Sequence, residues 1–151
     1  MARWADVETA APDLGARIKA RFDAHPHHVL GTVRVDGSPR LSGINVFFNE
    51  GRMWCGSMTA ARKASDLHRD PRVCFYSAPL HEDMEGGDAS VSGVAYPLDA
   101  AVAQAWRPES PAGGEFFEID IVRVHLVEVV GDELVLSMWD NAHGLRIVKR
   151  Q

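Results

Sequence analysis

The sequence predicts a mainly β chain, an antiparallel barrel of about six to eight strands with helices on its rim. Three observations predict it. Apolar residues alternate along short runs at 29–35, 39–48, 52–57, 72–77, 89–96 and 116–130. Tight-turn signals separate several of them: Asp36-Gly37, Asn49-Glu50-Gly51 and Gly131-Asp132. Helical patterns are few and do not alternate regularly with the strands, which excludes a doubly wound parallel sheet. Closing the meander into a barrel removes its sheet edges.

The elements follow in order. Pro12 and Asp13 suit the first turn of a helix, and Leu14, Ile18 and Phe22 recur every four residues. The spacing predicts a helix over 12–24, stopped before Pro26, with Trp4 and Val7 packed beside it. His25, His27 and His28 read as solvated loop residues, because no Cys or partner His completes a metal spacing. The run 29–35 is the first strand, and Asp36-Gly37 turns it into the return strand 39–48. In that strand Leu41 points one way while Ile44, Val46 and Phe48 point the other. Ser42-Gly43, at the shift, predicts either a bulge or a close approach of something to the backbone. Residues 52–57 form the third strand and lead to a helix over 60–69 with Ala64 and Leu67 inward.

Asp70-Pro71 stops that helix, and 72–77 is the fourth strand. The polar, Gly-rich segment 79–88 reads as a loop with the makings of a lid. Its His81, Glu82 and Asp83 read as solvated charges rather than metal ligands. Strand five spans 89–96, and Pro97 and Asp99 open a short helix whose inner face is Leu98, Val102 and Ala105 or Trp106. Residues 107–115 hold two prolines and a Gly pair and cannot be regular. The run 116–130 is long for one strand and its parity changes after Ile121, so it must bend. Strands over 134–139 and in LRIVKR close the chain.

At 151 residues the sequence makes one domain, 1–151, with 1–27 as an N-terminal helix and lead-in. A net charge of −5 argues against nucleic acid or anionic membrane as partners, so any anion site must be local. Cys55 and Cys74 lie in apolar strand segments and are expected as buried free thiols of a reducing cytoplasm. The N-terminus lacks the apolar centre of a signal peptide, and no run reaches the ~20 residues of a membrane span.

One junction breaks a local rule. GSMTAARKASDL, residues 56–67, runs from strand to helix with Arg62 and Lys63 where the macrodipole favours acids. Free helix N–H groups beside two cations make an anion site, most simply for phosphate. Two solvated basic residues on a surface helix are the plainer alternative. The sequence has no GxSxG elbow, P-loop, GxGxxG or CxxC. Chemistry, if the chain performs any, falls to a cofactor that the protein binds and orients.

The order of a DG hairpin, SPRLSGI, a strand, GSMTAARKASDLHRDPRV and VSGVAYPLD resembles the pyridoxamine 5′-phosphate oxidase-like family of flavin-binding split β-barrels, over about 28–150. The likeness is greatest to its small actinobacterial-type members. The resemblance implies a cytoplasmic homodimer holding FMN at the subunit interface and acting on a small-molecule substrate. It places the cofactor phosphate at Arg62 and Lys63, with Ser57, Met58 and Thr59 beside it and the hydroxyls of Ser57 and Thr59 as donors. It places the ring against Ser42, Gly43, Ile44 and Asn45. Related deazaflavin-dependent enzymes use coenzyme F-420 for hydride transfer, and other relatives bind heme, for which His125 and His28 are the axial candidates here. The resemblance identifies no catalytic residue and implies no metal. MWDNAHGLR is loosely similar to the C-terminal Trp-to-Arg segment of the true oxidases, with Trp139 and Arg146 as equivalents. Its spacing departs from that pattern, so a core Trp and a surface Arg are expected. The substrate motif of those oxidases is missing, so vitamin B6 oxidation is not expected.

Overall fold

A computed structural model describes residues 1–78 and 80–151. Pro79, at the head of the expected 79–88 loop, lies outside the described residues. Two helices lead in, α1 (Trp4–Ala10) and α2 (Pro12–Asp23). Strands β1 (His28–Val33), β2 (Pro39–Asn49) and β3 (Arg52–Ser57) follow, then α3 (Arg62–Arg69). Next come β4 (Arg72–Tyr76), β5 (Asp88–Leu98), α4 (Ala100–Trp106), β6 (Glu115–Val130), β7 (Glu133–Asp140) and β8 (Gly144–Arg150).

All pairings are antiparallel in the order β3-β2-β1-β4-β5-β6-β7-β8, and β3 also pairs with β6. That last pairing closes six strands into a barrel and leaves β7 and β8 as an extension. β6 does both jobs. Its first residues, Glu115 to Glu118, pair with β3, and Arg123 to Val130 pair with β7. The change of partner needs a bend, and the register slips there: Ser92 faces Arg123 but Gly93 faces Ile121. Val122 is the extra residue, so Ile119 and Ile121 before it and Val124 and Leu126 after it all point inward. The parity change after Ile121 has its cause in this bulge. Gly93 sits opposite, where a side chain would strike the Asp120 carbonyl oxygen at 2.3 Å.

The barrel interior and the lead-in helices share one core. Leu30, Ile44, Met53, Phe75, Val91 and Phe117 meet Trp4, Val7, Leu14, Ile18 and Phe22. Each fully buried side chain of this size contributes about 1.5–3 kcal/mol. Trp4 and Val7 pack as expected, but from a helix of their own, α1, which the sequence reading missed. A smaller cluster of Trp54, Leu98, Ala103 and Phe116 seats α4 on the outside of β3. Asp99 caps α4 by accepting from the Ala101 N–H at 2.7 Å. Pro97 belongs to β5 rather than to α4. The Ala95 N–H reaches Pro71 on the β4 side, and the Pro97 nitrogen faces the same side beyond the end of β4, where no donor is needed.

Four further expectations change. The β1–β2 register is unbroken from His28↔Ile44 to Val33↔Pro39, so β2 has no bulge at Ser42-Gly43. Leu41 is simply an apolar residue on the outer face, 76% exposed. His25 and His27 are exposed, but His28 begins β1 and is buried. Cys55 is buried, and desolvation pushes its thiol up to about 12, whereas Cys74 is exposed on the outer face. The helix expected over 60–69, α3, starts at Arg62, because Ala60 adopts φ 60 and cannot join it. His81, Glu82 and Asp83 are exposed, and the described residues contain no metal-ligand cluster. No helix among them is long and apolar enough to cross a membrane.

Candidate functional site

Alternation along β2 decides what faces outward. Leu41, Gly43, Asn45 and Phe47 share one side; Arg40, Ser42, Ile44 and Val46 share the other. Asn45 pairs with Gly56 and Phe47 with Trp54, so β2 and β3 together make a wall. Two depressions run along it and share Asn45, Gly56, Ser57 and Met58. One, ≈ 170 Å³, includes His27, Gly43 and Lys63. The other, ≈ 280 Å³, includes Phe47 and Phe116 and is roofed by Arg107, Glu109, Ser110 and Pro111. The Arg107 guanidinium lies 4.1 Å from the Phe47 ring centroid, and Glu109 pairs with it at 2.5 Å.

A side chain added at Gly43 would meet nothing within 4 Å. The backbone of β2 is therefore bare at that point, as a flat ring lying against it would require. Lys63 stands over it, donating from Nζ to the Gly43 carbonyl oxygen at 2.7 Å. α3 begins with Ala61 as its N-cap, without a side-chain cap bond and without an acid in its first turn. The Ala61 and Ala64 N–H groups bond the Met58 and Ala61 carbonyls, which leaves those of Arg62 and Lys63 available to an anion.

Arg62 and Lys63 diverge. Successive helical residues lie about 100° apart around the axis. Lys63 turns to Gly43, while Arg62 turns to a third depression, ≈ 340 Å³, lined with Arg34, Arg40, Ser65, Asp66 and Arg69. Asp66 anchors that side. Its carboxylate is buried and accepts from Thr32 Oγ1 at 2.8 Å, Arg40 Nε at 2.6 Å and Arg69 Nη2 at 3.2 Å. Burial pushes its pKa up, but the hydrogen bonds from Arg40, Thr32 and Arg69 outweigh burial and leave it below the usual carboxylate range. Arg62 is exposed and has no hydrogen-bond or ion-pair partner among the described residues.

The remaining expected residues fall as follows. Ser57 lines both wall depressions, its hydroxyl held only loosely by the Met58 carbonyl at 3.3 Å. Met58 is 77% exposed at the rim. Thr59 donates its hydroxyl to the Gly113 carbonyl, tying the strand-to-helix loop to the 107–114 segment. Glu115 adds to this tie, accepting from the Ala60 N–H at 3.3 Å and pairing with His68 at 2.8 Å. Ile44 buries its side chain in the barrel, so only its main chain can face the wall. Ser42 lies on the Ile44 side of the strand. Trp139 is a core residue and Arg146 pairs with Asp140 at 2.7 Å, as a core Trp and a surface Arg should.

Neither candidate axial histidine serves this wall. His28 Nε2 faces the Phe22 carbonyl at 2.8 Å and its Nδ1 accepts from the Ala78 N–H at 2.9 Å, so both nitrogens are engaged. His125 lies in the later part of β6, paired with Ser90 on β5 and Met138 on β7, beyond the Glu115 to Glu118 stretch that borders β3. Sequence reading also missed Arg34, Arg40, Arg69 and Arg107. They come from four separate segments, and no spacing links them.

The model of the pyridoxamine 5′-phosphate oxidase family matches residues 14–128. The chain belongs to that family. Solved structures agree at the level of the fold. PhzG from Burkholderia lata 383, in complex with tetrahydrophenazine-1-carboxylic acid, superposes with a TM-score of 0.74 at 12% identity, over 98% of this chain and 95% of its own. An FMN-binding protein related to pyridoxamine 5′-phosphate oxidase, from Nostoc punctiforme, gives 0.61 at 13% identity, over 96% and 97%. A heme-binding protein from Mycobacterium smegmatis gives 0.55 at 18% identity, over 90% of this chain and 57% of its own. Among curated proteins none matches. The family match spans α2 to β6 and so includes the whole wall, the start of α3 and the arginine cleft.

Proposed function

We propose that this family member is a flavin-dependent oxidoreductase of the cytoplasm, using FMN or a deazaflavin to pass hydride to or from a small organic substrate. The observation that carries the reading is the uncapped, acid-free start of α3, with Lys63 reaching across to the bare backbone of Gly43. Phosphate binds at the helix start, between the Arg62 and Lys63 side chains. The ring lies along Gly43 to Asn45 and Gly56. When bound, the flavin supplies a two-electron acceptor or donor. The protein binds its phosphate, fixes its face and shields the far end of the wall with Phe47, Phe116 and the Arg107 segment.

The substrate enters at that far end. Phe47 and Phe116 offer apolar contact, and the Arg107 guanidinium offers a charged anchor for an acidic group. Thr59 acts on the loop through Gly113 rather than on the phosphate. Completion of the site by a second copy of the chain is part of the proposal. It is supported by apolar residues left on the outer barrel face beside the wall: Leu41 at 76%, Tyr76 at 40% and Val29 at 38% exposure.

The test is a flavin titration followed by fluorescence quenching. Changing Arg62→Ala and Lys63→Ala together should weaken binding at least about ten-fold, the loss expected for charged hydrogen bonds. Unchanged affinity in the double variant would sink the assignment. A heme absorption band on the purified protein in place of a flavin spectrum would also overturn it.

A further inference from the structure

The segment after α4 carries an ion pair that its anchoring does not need. α4 is already seated by Trp54, Leu98, Ala103 and Phe116, and Thr59 already ties the segment down at Gly113. Arg107 ends α4, its N–H bonded to the Ala103 carbonyl at 2.8 Å. The Ser110 N–H returns to the Arg107 carbonyl at 2.9 Å, so Glu109 stands in a closed turn. Its Oε1 accepts the Arg107 guanidinium at 2.5 Å, yet the Glu109 and Arg107 side chains are 64% and 38% exposed. Ion pairs this wet contribute little and open readily.

The guanidinium does not depend on Glu109 for its position. It lies 4.1 Å from the Phe47 ring centroid, a cation–π contact. Phe47 in turn packs on Trp54, ring centroids 4.7 Å apart. The second ring of the slot, Phe116, is buried and lies against Gly56, where a β-carbon would stand 3.0 Å from it. Two fixed rings and one fixed cation thus line the ≈ 280 Å³ depression. Among the described residues that line it, Arg107 is the one cation and Glu109 the one acid. The volume falls just short of the ~300–1,000 Å³ of sites for drug-sized ligands, which leaves room for one or two fused rings.

Resting on the flavin reading above, we infer that Glu109 is a tethered stand-in for an acid group of the substrate, and that the substrate is a flat, largely apolar carboxylic acid that displaces it. The incoming carboxylate takes the place of Glu109 on the Arg107 guanidinium, whose N–H groups donate to its oxygens. The apolar body lies against Phe47 and Phe116, and Glu109 turns out to solvent. The pair also discriminates. A neutral analogue has no charge to set against that of Glu109 and leaves the pair closed. A second acid on the ligand meets Glu109 as a like charge.

The purified full chain should be titrated by calorimetry with 1-naphthoate and with its neutral counterpart 1-naphthamide, alongside the Glu109→Gln and Arg107→Met variants. Thermal unfolding of each variant checks that it is folded. The expected result is that naphthoate binds at least roughly ten-fold tighter than the amide. Glu109→Gln should tighten naphthoate about two- to five-fold by removing the tethered competitor, with the amide unmoved. Arg107→Met should abolish the preference for the acid. Naphthoate that binds no tighter than the amide, fails to bind, or is weakened by Glu109→Gln overturns the inference. An FMN titration of the parent chain separates the two readings. FMN binding without a preference for the acid strikes this inference alone. A preference for the acid without FMN binding overturns the flavin reading and, with it, the acid's standing as a substrate.

Discussion

Lys63 lays its ammonium on the carbonyl oxygen of Gly43, Nζ to O 2.7 Å, across the only part of β2 where the outer face has no side chain between Leu41 and Asn45. A cation from a helix start and a bare strand position are thereby held at one spot. The arrangement gives Gly43 a role that backbone geometry does not require, since its φ is not among the positive values. At Gly43 an added β-carbon meets nothing within 4 Å, the backbone needs no positive φ, and valine suits a strand. Gly43→Val should leave thermal stability unchanged or slightly raised while reducing flavin affinity at least about ten-fold by occupying the place proposed for the ring. Thermal unfolding and flavin titration of the same sample check both halves. Retained affinity would show that nothing binds against this strand.

Asp66 is the structural counterpart of that site. Its carboxylate holds Thr32 on β1, Arg40 on β2 and Arg69 at the end of α3, so it fixes the helix that carries the cations. Asp66→Ala should cost about 3 kcal/mol in chemical denaturation, the low end for breaking a buried pair, because Arg40 and Arg69 keep some contact with water. The sign with pH follows from its lowered pKa. Stability from Asp66 is fully present above the ordinary value of 3.8 and is lost as pH falls through the lower folded-state value. Asp66→Asn should therefore flatten the acid limb of the stability curve. An unaltered acid limb would mean that the carboxylate carries no net charge–charge stabilisation.

These two residues also show what the sequence could and could not disclose. Strand alternation and DG-type turns made the barrel legible, because a half-buried strand must alternate and a tight hairpin needs residues such as Gly37 at φ 85. Arg62 and Lys63 were legible as an anomaly against the helix dipole. Leu41 misled, because an apolar residue on an outer face reads as a change of parity. His28 misled for the opposite reason: its burial is secured by Phe22 and Ala78, six and fifty residues away. The arginine cleft was invisible for the same cause, since Arg34, Arg40 and Arg69 meet only after β1, β2 and α3 have packed. Trp4 and Val7 were recognised as core, but seven residues whose N-cap is Arg3, with only Asp6 reaching back to its N–H at 2.7 Å, carry too weak a signal to announce α1.

His28 supplies the last prediction. Its imidazole joins the end of α2 to Ala78, and the two bonds together require the neutral ring: Nε2–H donates to Phe22 in either charge state, but only the neutral ring keeps a lone pair on Nδ1 for the Ala78 N–H. Burial is the largest cause of its lowered pKa, partly opposed by the Phe22 and His25 backbone bonds, and His25 and His27 lower it further. A base whose folded-state pKa lies below the ordinary 6.5 binds fewer protons folded than unfolded. Its stabilisation is complete above 6.5 and drains away as pH falls below that value through the folded-state pKa. His125, also lowered chiefly by burial, adds a contribution of the same sign. The protein should therefore lose stability between about pH 7 and pH 5, a range in which carboxylates change little. His28→Gln offers a donor and an acceptor without titrating, so its curve should be visibly flatter over that interval, and His28→Gln with His125→Gln flatter still. Denaturant midpoints at a series of pH values read this directly, and identical slopes in the parent and the His28→Gln variant would exclude the clamp as a titrating element.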